Sequence, residues 1–298
     1  MQQDIRIGTL VQGKPGADQY IRQIIPHGFE SFAITFGNAF KIAPEELAGQ
    51  IMPLLESEGR KIGAISLYCN PLKDDEAGDL ARQQFRHLID CAPLYQTDVV
   101  SGFTGRVPGV PLPDSLARFK EVWTPLAEYA GERGIRIAWE NCPMGGNWQT
   151  GDHNIAHNPA AWELMFEAIP LPNIGLEWEP CHQMVQLIDP MPQLRQWVSK
   201  IFHIHGKDAT IHRDVIAKYG IASSKPFAYH RTPGFGDCNW ADIISELRRG
   251  KFRGCINIEG WHDAVYRDAL EMTGQVHGLK YLQYCRGGDY VANPIVEN

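Results

Sequence analysis

The stretch Gly175-Leu-Glu-Trp-Glu-Pro-Cys-His182 decides the fold: an apolar run entered from Asn173-Ile174 carries two carboxylates and is then stopped by Pro180. Side chains alternate faces along a strand, so Glu177 and Glu179 share one side while Leu176 and Trp178 take the other. A buried carboxylate without a partner costs several kcal/mol, so two acids on one face of a strand call for a metal ion, a cation or water. Partners must come from elsewhere in the chain.

Outward from this strand the chain alternates short apolar runs with longer amphipathic ones. Strands are predicted at Ile5–Val11, Ser31–Phe36, Ile62–Tyr68, Asp98–Phe103, Ile135–Asn141, Ile174–Glu179, Ile201–His205 and Cys255–Gly260. Helices are predicted at Asp18–Pro26, Pro44–Glu58, Asp75–Leu94, Asp114–Glu132, Pro159–Ala168, Pro190–Lys200, Trp240–Arg249 and Gln275–Tyr284, where apolar residues such as Leu47, Ile51, Leu54 and Leu55 recur at helical spacing. Asp114 is the expected N-cap of its helix, and Gly59 and Gly134 the expected stops. Eight βα alternations in 298 residues predict an α/β fold of the (β/α)₈ TIM-barrel kind as one domain over residues 1–298, since such a barrel takes about 250 residues. The doubly wound alternative loses weight because no Gly-x-Gly-x-x-Gly follows the first strand. From Gly206 to Gly236 a long segment intervenes; its part from Thr210 reads as structureless, an expected lid over the barrel mouth.

Composition bounds the function. Hydrophobic residues make up 44% and charged residues 21%, ordinary values for a chain with a sizeable core. A net charge of −7 speaks against nucleic acid as a partner. No window approaches the roughly 20 apolar residues that cross a bilayer, so no membrane partner is expected. Seven scattered cysteines without a Cys-x-x-Cys pair and a polar start, Met-Gln-Gln-Asp-Ile-Arg, predict a cytoplasmic protein.

Chemistry in such a barrel gathers where strands end. Glu140 ends its strand in Ile-Ala-Trp-Glu-Asn-Cys-Pro, Glu179 ends the central one, His205 closes Phe-His-Ile-His, and Glu259 closes Ile-Asn-Ile-Glu. One carboxylate at a strand end is ordinarily an ion-pair or cap partner. Three carboxylates at matching positions, with a histidine at a fourth, would repel one another without a cation between them. Three carboxylates and an imidazole predict a single divalent ion, Mn²⁺ first, with Mg²⁺, Co²⁺ or Zn²⁺ compatible. Glu177 is expected one layer below, paired with a cation or water, and His203 is its analogue on the next strand.

The chain resembles the sugar isomerase and epimerase group of xylose-isomerase-like barrels, a superfamily that also includes apurinic endonucleases. The resemblance is carried by Tyr68-Cys-Asn-Pro-Leu72, Phe103-Thr-Gly105, Glu140-Asn-Cys-Pro143, Gly175 to His182, His203-Ile-His-Gly-Lys-Asp208, Pro233-Gly-Phe-Gly236 and Ile258-Glu259. It implies an ion held by Glu140, Glu179, His205 and Glu259, with His182 on substrate oxygens. One departure stands out: members usually place Asp where Glu179 stands.

The expected reaction is epimerisation or isomerisation of a small carbohydrate or polyol through an enediolate, with Glu140 and Glu259 as the acid/base pair. Lys207, Arg231, Trp148 and Trp261 are further expected substrate contacts beside His182, with Phe103 as an apolar wall. An internal ion pair is the plainer reading for Lys207 and Asp208, solvation for Arg231 and core or rim packing for the aromatics. A lyase sharing the first step, dehydrating a keto-inositol or cleaving a 3-keto-glycoside, is the alternative. A homo-oligomer is expected, with a small partner subunit in the lyase case. The endonuclease branch needs histidine ligands on the second and third strands, and Ser31–Phe36 and Ile62–Tyr68 contain none. An unphosphorylated substrate is expected because no Gly-rich phosphate cradle is evident. A non-catalytic carbohydrate-binding barrel would be expected to lack one of the two acid/base carboxylates.

Overall fold

A computed structural model describes residues 4–294. Eight parallel strands close into a barrel: β1 (Ile5–Gln12), β2 (Ser31–Thr35), β3 (Lys61–Leu67), β4 (Val99–Gly102), β5 (Arg136–Glu140), β6 (Ile174–Trp178), β7 (Ile201–Gly206) and β10 (Gly254–Ile258), with β10 between β7 and β1. The remaining two, β8 (Asp208–Ile211) and β9 (Ala228–Arg231), form a separate antiparallel pair. The helices are α1 (Ala17–Ile24), α2 (Pro44–Ser57), α3 (Glu76–Cys91), α4 (Leu116–Gly131), α5 (Pro159–Ala168), α6 (Pro180–Met184), α7 (Pro190–Trp197), α8 (Arg213–Tyr219), α9 (Trp240–Arg249) and α10 (Glu271–Arg286). The predicted (β/α)₈ barrel is what the chain builds, and most predicted strands lie within a residue or two of the observed ones. No described helix is long and apolar enough to cross a membrane.

Local chemistry explains the helix starts. Asp75, Asn158, Asp189 and Asn239 each accept a hydrogen bond from a backbone N–H in the first turn of α3, α5, α7 and α9. Asp114 does not cap α4. It lies in a 3₁₀ turn over Leu112–Ser115, and Ser115, at the cap position, accepts from Val107 N at 3.1 Å and so ties down the preceding loop. Gly59 ends α2 with φ +63°, a left-handed conformation that a side chain rarely adopts.

Apolar side chains of strands and helices fill the layer between barrel and helical ring, with Trp123, Trp139, Trp162, Trp178 and Trp240 fully buried there. The barrel axis is polar instead. Ser66 and Ser101 share a hydrogen bond of 2.8 Å, Ser101 donates to Glu177 at 2.6 Å, and His203 bridges Glu177 (2.7 Å) and Asn257 (2.8 Å). Glu177 thus sits inside as expected, but histidine, serine and tyrosine answer its charge.

The segment read as structureless from Thr210 to Gly236 is folded. β8 and β9 pair from Asp208↔Arg231 to Ile211↔Ala228, with α8 between them. Asp208 anchors the hairpin by accepting from Ala209 N (2.7 Å) and Cys238 N (3.0 Å). Two four-residue strands separated by a helix carry too little alternation to be recognised in sequence.

Candidate active site

Side-chain amides lock the strand ends in register. Asn141, just past β5, donates to the Glu179 carbonyl (2.9 Å) and accepts from the Glu179 N–H (2.8 Å), fixing the ends of β5 and β6 to each other. Asn154 donates to the carbonyls of Glu140 (2.7 Å) and Cys142 (2.8 Å). Both asparagines therefore position Glu140 and Glu179 without facing the reaction themselves.

At this end Glu140, Glu179, His205 and Glu259, all buried, bring their ligand atoms within 4.8 Å of one another. Neither oxygen of the fully buried Glu179 accepts a hydrogen bond. His182 Nε2 touches one of them without hydrogen-bond geometry, and Lys207 Nζ stands 3.7 Å away. His205 Nδ1 lies 3.4 Å from Glu140 and 3.5 Å from Glu259, also without a hydrogen bond. Buried polar atoms are almost always paired, and these converge on one place. A divalent ion satisfies all of them at once, and three carboxylates with one imidazole suit a hard or borderline cation. The residues fit such an ion.

The layer beneath aims the imidazole. Glu177 Oε1 lies 3.2 Å from His205 Nε2, so the other ring nitrogen faces the carboxylates, and Tyr68 donates to Glu177 Oε2 at 2.8 Å. Burial works against charge throughout this end, and neighbours decide each outcome. Burial raises the Glu140 carboxyl, and His205 offsets this only in part. Burial would also raise Glu259, but the Lys207 ammonium at 3.0 Å, with His262 and His205, holds it well below the usual carboxylate range. Burial would lower His205, yet Glu177 and Glu140 hold it well above its ordinary value. His182 is driven well below its ordinary value by burial and by Lys207, so it is a neutral imidazole.

A cavity of about 1380 Å³ opens over the cluster, lined by Glu140, Glu259, His182, Lys207, Phe103 and Trp261 among others. Lys207 pairs with Glu259 and not with Asp208. Two expected contacts are not brought to this cavity. Trp148 packs against the hydrophobic core while its carbonyl accepts from Leu112 N and Arg106. Arg231 turns to Asp263 at 3.3 Å. The neighbouring His230 lines the cavity instead, its ring edge against His182 with centroids 5.3 Å apart. Successive strand residues point to opposite faces, so the hairpin that presents His230 turns Arg231 away.

His230, His262 and Asn141 were not anticipated. His262 Nε2 lies 2.9 Å from Glu259 Oε1 and also lines the cavity. A signal existed, because Glu179–His182 and Glu259–His262 repeat the same Glu-x-x-His spacing at two strand ends.

Known proteins share this architecture. A 104-residue stretch, 35% of this chain and 30% of the relative's length, is 30% identical to the uncharacterized protein YfiH of Bacillus subtilis (strain 168), so the match spans under a third of that protein. The 3-keto-D-glucoside 4-epimerase YcjR of E. coli superposes with a TM-score of 0.71 at 14% identity, over 94% of this chain and 100% of that one. D-allulose 3-epimerase from Methylomonas sp., in complex with D-allulose, gives 0.68 at 17% identity over 95% and 96%. At such identities the likeness is one of fold. The family model described as xylose isomerase-like TIM barrel matches residues 21–283, and the chain belongs to that family.

Proposed function

We propose that this protein is a divalent-metal-dependent carbohydrate epimerase or isomerase that moves a proton next to a carbonyl. The observation that carries this reading is the convergence of Glu140, Glu179, His205 and Glu259, with both oxygens of Glu179 buried and unbonded. The D-allulose 3-epimerase and the 3-keto-D-glucoside 4-epimerase of similar fold support it.

Glu179 and His205, together with Glu140 and Glu259, would hold the ion. When bound, it supplies positive charge that stabilises the negative charge developing as the C–H proton leaves, with Mn²⁺ the preferred identity. Glu259 and Glu140 stand on different walls of the cavity, from β10 and β5. One removes the proton and the other returns it, to the opposite face of the same carbon or to its neighbour. Lys207 bonds Glu259 at 3.0 Å and fixes its orientation. Neutral His182 offers a ring nitrogen to a hydroxyl, and Trp261 and Phe103 face the C–H side of the sugar. We place the protein in the cytoplasm, as a homo-oligomer.

A second reading shares the first step. A leaving group β to the carbonyl would be expelled from the same enediolate, and the cavity's volume, above the roughly 300–1,000 Å³ common for small-molecule sites, favours a substrate larger than a free monosaccharide. A released aglycone or unsaturated product would mark this lyase outcome.

Solvent deuterium exchange into a panel of keto-sugars and inososes, with Mn²⁺ added, tests the shared step. Glu140→Gln and Glu259→Gln should each slow exchange by about 10²–10⁴-fold. Exchange at the wild-type rate in both variants would end the proposal.

A further inference from the structure

The mouth of the barrel is electrically divided. All four metal-type donors come from the adjoining strands β5, β6, β7 and β10 or their ends. The contiguous strands β1, β2 and β3 lead into loops that carry Lys14, Lys41 and Lys73 into the lining of the same cavity. This side of the mouth adds Gln12, Asn38, Tyr68, Asn70 and Gln84 to the lining but no carboxylate; Asp152, from the loop after β5, also lines the cavity, its carbonyl accepting from Asn70 (2.7 Å) and its Oδ1 from Gly109 N (3.2 Å). None of the three ammonium groups has an ion-pair or hydrogen-bond partner among the described residues.

Isolated surface lysines are usually solvated and mean nothing. Here three come from three successive loops, line one cavity and have no ion-pair partner among the described residues, in a chain whose net charge is −7. Like charges gathered on one wall repel, and an anion relieves that repulsion. Lysine is a compact charge on a flexible stem, suited to an oxyanion whose position varies. The cavity is also roomy, at about 1380 Å³, and exposed Leu80 adds apolar surface on the same side.

We propose that Lys14, Lys41 and Lys73 form an oxyanion subsite, so that the sugar handled at the carboxylate–histidine end carries a carboxylate or phosphate group at its far end. This rests on the carbohydrate reading above and sharpens its substrate class. It makes the expected carbohydrate an anionic one, recognised by side-chain ammonium groups and not by a glycine-rich cradle; a sugar acid agrees with the unphosphorylated substrate expected from sequence, and a sugar phosphate would replace it.

The test is calorimetric binding of three six-carbon probes, D-glucitol, D-gluconate and D-glucitol 6-phosphate, to the full chain with Mn²⁺ added. Wild type is compared with the triple variant Lys14→Gln/Lys41→Gln/Lys73→Gln and with Lys120→Gln on α4, outside the cavity. At least one anion should bind about tenfold more tightly than glucitol, the sum of three exposed charge contacts. That advantage should vanish in the triple variant and in about 1 M salt, yet persist in Lys120→Gln. Which anion shows it separates a sugar acid from a sugar phosphate. Equal affinities, no binding of either anion, or an advantage that survives the triple variant would overturn the subsite. Solvent exchange into neutral keto-sugars, read on the same triple variant, reports on Glu140 and Glu259 independently: wild-type exchange without anion preference would sink only the subsite.

Discussion

The two ends of the barrel hold buried charge in opposite ways. At the end where strands begin, Arg286 donates to both oxygens of Glu30 (2.5 and 2.9 Å) and to the Ile5 carbonyl, while Gln283 and Ile7 N add bonds to the same carboxylate. Nearby, Arg248 pairs with Asp4 and Arg136 with Asp98. At the end where strands finish, the side chains of Glu179 and His182 and one ring nitrogen of His205 are buried without hydrogen bonds. Charge at the first end is consumed by the fold; at the second it is kept available. A protein sustains the second arrangement only with stability drawn from elsewhere, and the closed base of the barrel is one such source.

The contrast can be broken at either end. Arg286→Ala leaves Glu30 short of its main partner and should cost about 2–4 kcal/mol in chemical denaturation, with Mn²⁺ affinity unchanged. A loss of metal affinity there would mean that the ends are not separable. Glu179→Leu should do the reverse, raising the stability of chelator-treated protein by about 1–2 kcal/mol because an unbonded buried carboxylate disappears. A lower melting temperature in chelator would show that Glu179 is already satisfied by Lys207 and His182.

The smallest effect is in pH. Burial raises the Glu30 carboxyl, but the Arg286 bond and the Ile7 N–H outweigh it and hold it below the ordinary range. A folded value below the unfolded one stabilises the fold fully above the unfolded carboxylate value, near pH 4.3, and that contribution is lost as pH falls through the folded value. The stability gap between wild type and Arg286→Ala should therefore narrow from neutral pH to about pH 3. A constant gap would remove Glu30 from the account.

The barrel was legible because each strand is a short apolar run with a polar end, and Glu140, Glu179, His205 and Glu259 stand at those ends. What stayed hidden depended on contacts between distant segments. Lys14, Lys41 and Lys73 share no motif and line one cavity only because β1, β2 and β3 adjoin in the closed barrel. Arg231 and His230 differ by one position, and on a strand one position reverses the face, so only the register of the β8–β9 pair decides which of them lines the cavity. Trp148 packs against the core, the plainer of its two readings, held by the loop around Arg106, 42 residues away in sequence. Asn141 was visible in Glu140-Asn-Cys-Pro143, but its reciprocal bonds to Glu179 exist only once β5 and β6 pair.

The most direct measurement is Mn²⁺ titration of chelator-treated protein followed by electron paramagnetic resonance, in wild type and in Glu179→Leu. Wild type should hold a single ion tightly, and affinity should fall by about tenfold or more in the variant. Wild-type protein that binds no Mn²⁺, or a variant that binds it equally well, would contradict the claim that this end of the barrel keeps its charge open for a metal.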